Sequence, residues 1–491
     1  MKSVAGKPVF LFLLPVFFFL HAYNENFAPG LGGAVLTQIL LYTGAGLLLS
    51  VLLIPVTGNF RKAALGGFVL IALNFFFGAL HDTARQILGR GHFLVRYSFI
   101  IVFLFILLAL FLFCLRKTKR STDHSYRFLH LLFGVLILWE LVSLVPALLS
   151  LNKRNTRALS PSLQPCAPCS KPDIYAILTD EYAGEQQLKD IFSFDNTAFY
   201  QSLSERGFFI ASNSISNYNA TVHSMASFFN MEYLPLSGKG LVTQGNMLLC
   251  RDIIQHSNTG VFFKKMGYEY RNYSFFELEG EKKAVNNLYF HPRGRILTFG
   301  TFVNRFRFDA GFNFFSKSTA DRLTRLTFLN DETTDSLTRL EALRTSPKPR
   351  FIYSHFSRPH HPYYVDRNGK PMVYNDSLPG FERIKNEYKE HLLYSNQRLL
   401  SLIDHILKNA RKPPVILLAS DHGFRQFDKE APHQYYFMNL CAIHLPGTVQ
   451  NPFYNGMSFV NTFRVILNKQ FGQQLPMLKD SSTFLTEKAL W

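Results

Sequence analysis

The sequence predicts a chain in two parts: a bundle of about five membrane-spanning helices, followed by an α/β domain on a mostly parallel sheet. Three observations lead there. Apolar runs close to the length of a bilayer crossing crowd the first 151 residues. Beyond residue 172, short apolar runs alternate with segments of helical periodicity. Two of the later runs stop abruptly at acidic residues, and α/β sheets gather their chemistry at such strand ends.

At 491 residues the chain is too long for one ordinary domain, and 47% of it is apolar, with 50 Phe. Runs 32–55, 63–80, 97–115 and 128–149 each approach the roughly 20 residues that cross a bilayer as a helix. Run 9–23 is shorter and carries Pro15. It reads as a first span or an uncleaved signal-anchor, because no small-x-small cleavage site follows it. Glu140, inside the last run, is an intramembrane charge; it marks a function, a position near the interface, or a pairing with a neighbouring helix.

Lys and Arg set the orientation. Lys2 and Lys7 precede the first run, Arg61 and Lys62 follow the second, and Arg116, Lys117, Lys119 and Arg120 follow the fourth. These segments are expected to be cytoplasmic. Arg85, Arg90 and Arg96, between runs three and four, argue weakly the other way. Five spans with the N-terminus inside would place residues 152–491 outside the cytoplasm. The expected location is a bacterial inner membrane, multi-pass, with the domain extracytoplasmic.

The net charge of +18 divides into +8 before residue 152 and +10 after it. A basic exported domain beside a membrane suits anionic headgroups or phosphorylated substrates. Nucleic acid is not expected, since no Lys/Arg-rich tail is present. Of five cysteines, Cys114 falls within a span, while Cys166 and Cys169 form a C-x-x-C ahead of the domain. No thioredoxin-like βαβ context and no second ligand pair accompany them. A structural bridge, local or involving Cys250, is therefore expected.

The domains expected are 1–151, a polar, Pro-rich linker 152–171, and 172–491. Within the last, 173–179 is a strand ending at Asp180-Glu181. A helix covers about 197–206 and a short strand 207–210. A polar loop, 212–220, leads into helical spacing over 221–231. The middle, 235–345, mixes amphipathic helices with Gly-broken segments. Residues 350–356 form a strand followed by the loop Ser357-Arg358-Pro359-His360-His361-Pro362. Helical periodicity over 388–407 precedes the strand 415–420, which stops at Asp421-His422-Gly423. A further strand is expected at 439–445.

The chemistry gathers at those strand ends. Asp180 and the Asp421-His422 pair supply two carboxylates and an imidazole, three ligands for a divalent cation with positions left open. A lone Asp after a strand often only starts a turn, so the pair is the stronger signal. Thr221, at the start of a helix, is a candidate nucleophile. Free N–H groups there favour a phosphate, and a metal-bound hydroxyl loses its proton more readily. The competing reading is an N-cap. Asn219-Ala220-Thr221 also fits a glycosylation sequon. On the 357–362 loop, His360 is the better contact for phosphoryl oxygens, with His361 and Arg358 next. His355 lies within its strand and reads as a core histidine. His433 reads as a surface-loop residue or an extension of the site.

Pro172 to Asp180, Gly207-Phe208-Phe209, Ser216 to Thr221, Asn230 to Leu234 and Ser420-Asp421-His422-Gly423, in that order, resemble the sulfatase-like branch of the alkaline phosphatase superfamily. The layout is similar to its membrane-anchored members: lipoteichoic acid synthases, phosphoglycerol transferases and phosphoethanolamine transferases. The resemblance covers about 172–450. It implies an alkaline-phosphatase-like α/β domain and one divalent cation held by Asp180, Thr221, Asp421 and His422. It further implies Thr221 as the nucleophile of a phospho-enzyme intermediate, with His360 contacting the substrate; Arg358 and Asn217 are expected as further substrate contacts. Glu181 stays open as an alternative to Asp180, because lipoteichoic acid synthases use Glu at the first ligand. Sulfatases carry C/S-x-P-x-R; Thr221-Val222-His223-Ser224-Met225 has neither the Pro nor the Arg.

The leading expectation is a membrane-anchored, metal-dependent transferase of a phosphoglycerol- or phosphoethanolamine-type headgroup. Membrane lipids would be the donor and a glycan or lipid the acceptor. Mixed oxygen and nitrogen ligands suit Mn²⁺ or Zn²⁺, with Mg²⁺ also open. The alternatives are a phosphodiesterase or sulfuric-ester hydrolase of soluble anionic substrates, and a catalytically silent membrane scaffold.

Overall fold

The computed structural model of the chain describes residues 6–26, 31–89, 91–154, 163–166, 168–236, 241–242, 244–286, 293–373, 378 and 380–487. Lys2, Arg90 and the linker stretch 155–162 lie outside the described residues. The chain forms two compact units: Met1–Thr156 with His291–Thr319, and Arg157–Phe290 with Ala320–Trp491.

The first unit opens with six helices: α1 (Phe10–Glu25), α2 (Gly32–Leu52), α3 (Ile54–Thr57), α4 (Phe60–Leu88), α5 (Tyr97–Lys117) and α6 (Asp123–Arg154). Among the described residues, α2, α4, α5 and the stretch Asp123–Pro146 are long and apolar enough to cross a membrane. The expectation of about five spans becomes four and a shorter helix, since α1 has only 16 residues. Small residues let α2 and α4 approach closely. A Cβ at Gly67 would fall 2.3 Å from Ser50 Oγ and 2.9 Å from the Gly46 carbonyl.

The two basic segments sit together at one end of this bundle. Lys62 Nζ donates to the Thr118 carbonyl at 2.8 Å, and Arg61 pairs with Asp123. Arg116 caps the carbonyls of Pro55 and Val56 at 3.1 and 3.0 Å. Glu140 is met by α1: His21 Nδ1 lies 2.9 Å from Oε1, and Asn24 Nδ2 donates to Oε2 at 2.5 Å. A buried carboxylate with two polar partners clamps α6 to α1, which is the pairing alternative raised for this residue.

The second unit runs β1 (Ile174–Asp180), α7 (Glu185–Phe192), α8 (Thr197–Glu205), β2 (Phe208–Ile210), α9 (Thr221–Asn230), β3 (Leu241–Val242), α10 (Gln244–Gln255), α11 (Asn258–Lys265) and β4 (Glu269–Tyr273). After α12 (Arg293–Ile296) and the long α13 (Phe302–Leu343) come β5 (Arg350–Pro359), α14 (Gly380–Asn409), β6 (Val415–Ser420), β7 (Cys441–His444), α15 (Thr462–Phe471) and β8 (Thr486–Glu487). Six strands make one sheet in the order β2-β7-β6-β1-β5-β4. Neighbours from β6 to β4 are parallel, while β7 runs antiparallel to both β6 and β2.

Alternation along the strands builds two cores. On one face Ala176, Leu178, Leu417 and Ala419 pack with Phe228 of α9, Phe263 of α11 and Phe463 of α15. On the other, Tyr175, Ile177, Ile416 and Leu418 pack with Leu203 of α8 and Leu399 and Ile403 of α14. Every residue of β1 and β6 is buried, so the strands read as unbroken apolar runs. Cys166 and Cys169 form the disulfide, the local one of the two pairings expected; Cys250 is buried and free.

Candidate active site and metal centre

β1 and β6 are neighbours in parallel register, with Thr179 opposite Ser420. The next residue of each, Asp180 and Asp421, therefore emerges side by side at the C-terminal end of the sheet. Apolar packing on both faces leaves that edge as the place where polar side chains converge. Asp180 is 2% exposed, and Asp421 and His422 are fully buried. Ligand atoms of these three residues all lie within 4.8 Å of one another.

The atoms are presented in a particular way. His422 Nε2 lies 3.3 Å from Asp421 Oδ2 and 3.7 Å from Asp180 Oδ1. Those two carboxylate oxygens are buried and have no hydrogen-bond partner among the described residues. Asp421 Oδ1, in contrast, accepts the N–H groups of His422 at 2.9 Å and Glu181 at 3.1 Å. One oxygen fixes the side chain and the other faces the centre. His422 Nδ1 lies 2.8 Å from the Gly423 carbonyl. That partner assigns the proton to Nδ1 and leaves the Nε2 lone pair facing the carboxylates. Burial, with the Arg425 charge second, pushes the His422 pKa down to about 3, so the ring is neutral. Burial and then the Asp421 charge push the Asp180 carboxyl well above its usual range. Two converging carboxylates in a buried site are costly without a cation. The donor set thus fits a divalent metal.

Thr221 is the first residue of α9. The extended Ala220 precedes the helix and no side chain caps it. The threonine hydroxyl does not cap the helix; it lies 3.2 Å from His422 Nε2. One turn on, the Ser224 hydroxyl donates to the Asp421 carbonyl at 2.5 Å, tying α9 to the end of β6. Four residues named from the sequence, Asp180, Thr221, Asp421 and His422, thus meet.

Glu181 takes a different direction from its neighbour. It adopts φ 61°, in the left-handed region. Its carboxylate accepts Arg425 N–H at 2.7 Å and Gln426 Nε2 at 2.9 Å. Asp180 therefore faces the metal ligands while Glu181 buttresses the loop after Asp421. His360 Nε2 sits 3.6 Å from Glu181 Oε2, at the rim of the site. The loop that carries His360 is pinned by Asp331 of α13, which accepts N–H bonds from Ser357 at 2.7 Å and Arg358 at 3.1 Å.

Two expected substrate contacts point into the fold instead. The Arg358 guanidinium is fully buried, 4.1 Å over the Phe356 ring and 3.7 Å from Asp335. Asn217 accepts the Val460 N–H at 2.6 Å and donates to the Ser481 carbonyl at 2.9 Å. Asn219 is buried and bonded to Leu485 through both side-chain atoms, which leaves the sequon no accessible amide. His355 is a buried strand residue held by the Tyr353 hydroxyl at 2.7 Å, with its pKa pushed down to about 4 by burial. His433 stacks on Phe484 at 3.7 Å, outside the three-residue cluster. The sequence reading missed Arg425. Its Nη1 donates to the Asn219 carbonyl at 3.2 Å, and its charge acts on both Asp180 and His422. The only sequence signal for it is its position three residues past His422.

Residues 190–448 match the family described as Sulfatase, more than half of the chain and a span that includes Thr221, Asp421 and His422. The chain belongs to the sulfatase family. It is an enzyme of the sulfatase-like branch of the alkaline phosphatase superfamily. Among solved structures it is similar to the C-terminal periplasmic domain of EcEptC from Escherichia coli, at 12% identity and TM-score 0.40, covering 66% of this chain and 94% of that one. The same domain in complex with Zn gives 12%, 0.41, 67% and 94%. Phosphonate monoester hydrolase SpPMH from Silicibacter pomeroyi gives 13%, 0.37, 64% and 76%. No curated protein matches the chain. After Thr221 this sulfatase-family chain has His223 and Met225 where a C/S-x-P-x-R motif would carry Pro and Arg. His223 is buried with neither ring nitrogen hydrogen-bonded among the described residues, and burial lowers its pKa to about 4.

Proposed function

We propose that the protein transfers a phosphoglycerol- or phosphoethanolamine-type headgroup from a membrane lipid to a glycan or lipid acceptor, through an intermediate on Thr221. The observation that carries this reading is the Thr221 hydroxyl, 3.2 Å from His422 Nε2 beside two unpartnered buried carboxylate oxygens. Asp180, Asp421, His422 and Thr221 would hold one divalent cation, Mn²⁺ or Zn²⁺ ahead of Mg²⁺ on their mixed oxygen and nitrogen donors. When bound, such a cation eases loss of the hydroxyl proton and polarises phosphoryl oxygens.

Thr221 Oγ1 attacks phosphorus as its proton is lost. The P–O bond to the lipid glycerol breaks, and the lipid alcohol leaves after taking up a proton. An acceptor hydroxyl then attacks the same phosphorus, and Thr221 Oγ1 departs and regains its proton. The first N–H groups of α9, which no side chain caps among the described residues, would meet phosphoryl oxygens together with Arg425 and His360. Apolar helices favour a lipid donor, and the gathering of Lys62 and Arg116 at one end supports a cytoplasmic face there. The α/β unit would then work at the outer face of a bacterial inner membrane. Hydrolysis of soluble phosphodiesters or sulfate esters is the second reading, favoured by membership of the sulfatase family.

Intact-mass spectrometry of the purified protein with bacterial phospholipids tests the proposal. A headgroup-phosphate adduct on Thr221, absent from Thr221→Ala, is the expected result. Turnover of soluble esters with no adduct from any lipid would establish hydrolysis instead. Neither adduct nor turnover in metal-loaded protein would make the chain a silent scaffold.

A further inference from the structure

Between β4 and β5 the chain leaves the α/β unit, and residues His291–Thr319 join the helical one. Leu297, just past α12, is 2% exposed in a core cluster with Leu14, Phe19, Ile71 and Phe75. The Gly300 carbonyl accepts the Gly78 N–H of α4 at 2.9 Å. A Cβ at Gly78 would come within 2.4 Å of that oxygen, so only glycine admits so close an approach. Asn74 Oδ1 accepts the Val303 N–H at 3.2 Å, and Phe302 meets the Phe77 ring edge-on at 4.9 Å. Arg305 grips both oxygens of Asp82, at 2.7 and 2.6 Å, and is 11% exposed on its side chain. Positions 74, 77, 78 and 82 are spaced as one helix face, so the segment lies along one stripe of α4.

The contacts leave Val303 57% and Phe306 39% exposed. Leu80, on the same α4, is 62% exposed, and Ile87 and Phe93 beyond it are exposed as well. Leu80 and Ile87 lie on the side of α4 away from the 74–82 stripe, so the helix and the segment each expose apolar residues at this end of the unit. In sequence, 299–307 sets Phe299, Phe302 and Phe306 among Arg305 and Arg307. Aromatic and basic residues in one short helical stretch are the composition of elements that lie in a lipid interface. In water the exposed ring and valine would be a liability; against acyl chains they are solvated, with Arg307 able to meet lipid phosphate.

We propose that residues 293–307 are a second membrane anchor of the catalytic chain, docked on the end of α4 and turning Val303 and Phe306 to bilayer lipid. This inference stands apart from the phosphotransfer reading and holds whether or not Thr221 reacts.

The test uses the full chain in vesicles of phosphatidylethanolamine and phosphatidylglycerol, with a site-specific protease site inserted at residues 157–162. After cleavage the C-terminal fragment is expected to sediment with the vesicles, and Phe302→Ala/Arg305→Glu to release it. A nitroxide on Val303→Cys, in a Cys114→Ser background, gives the second readout. It is expected to be reached by oxygen and by quenchers in the lipid, and shielded from a water-soluble nickel chelate. Release of the cleaved wild-type fragment, or a label open to the chelate, overturns the proposal. A label shielded from both lipid and water, with a concentration-dependent dimer, also overturns it and gives the face to a second copy.

Discussion

Asp421 divides its work between its two oxygens, and Asp180 has no such division. Oδ1 of Asp421 carries two backbone N–H bonds, whereas Oδ2 and Asp180 Oδ1 face each other's charge across His422. Asp180→Asn should therefore abolish stoichiometric metal in the purified protein, measured by elemental mass spectrometry. In metal-free protein the same change should stabilise the fold by roughly 1–2 kcal/mol, because it removes a buried like-charge contact. Equal destabilisation with and without metal would contradict that account. His391 gives a pH signature away from this site. It is buried on α14 beside Val365, and burial lowers its pKa to about 3. The unfolded chain takes up this proton near its ordinary pKa of about 6.5, whereas the folded protein resists until about 3. Stability should fall as pH drops through that window, by a few kcal/mol from this group. In His391→Gln, the stability lost between pH 7 and 4.5 in denaturant titrations should shrink by about 2–3 kcal/mol, while the buried His223, His355 and His422 keep the remainder. At this scale the meeting of Asp180, Thr221, Asp421 and His422 was legible because strand ends and a helix start announce these positions. Arg358 was not, and the cause is a strand that runs on. β5 continues to Pro359 through a break in register after Phe356, and Arg358, one of the extra residues there, lies over the Phe356 ring.

The elements hold the site through close approach at the turn after β6. A Cβ at Gly423 would lie 2.4 Å from the Tyr435 carbonyl and 2.6 Å from that of Met438. Neither oxygen belongs to a flexible side chain, so Gly423→Ala must move backbone. We expect a loss of about 1–3 kcal/mol in denaturant unfolding, together with weaker metal binding, since His422 is oriented by the Gly423 carbonyl. Unchanged metal affinity would show that the turn and the ligand are uncoupled. Apolar runs made β1, β5 and β6 readable in the sequence, and helical spacing after a polar loop did so for α9. The direction of β7 was not, because an apolar run of four residues carries no sign of whether its neighbour is parallel.

For the whole molecule, period and composition identify elements but not their neighbours. Residues 235–345 read as one mixed stretch of the catalytic part, yet His291–Thr319 belong with the N-terminal helices. Only an interaction such as Arg305 with Asp82, 223 residues apart, reveals it. The sheet order has a bearing on timing. β1 is synthesised first but lies between β5 and β6, pairing Ile174 with Phe351 on one side and Val415 on the other. A chain ended at residue 410 has Asp180 and Thr221 but no β6 beside them. It should bind no metal, as dialysis against a labelled cation would show; stoichiometric binding by that truncation would refute it. During synthesis Asp180 and Thr221 must wait about 200 residues or more for Asp421 and His422. Asp180, Asp421 and His422 can therefore come together only once the late strand β6 has been made, however early the rest of the chain folds.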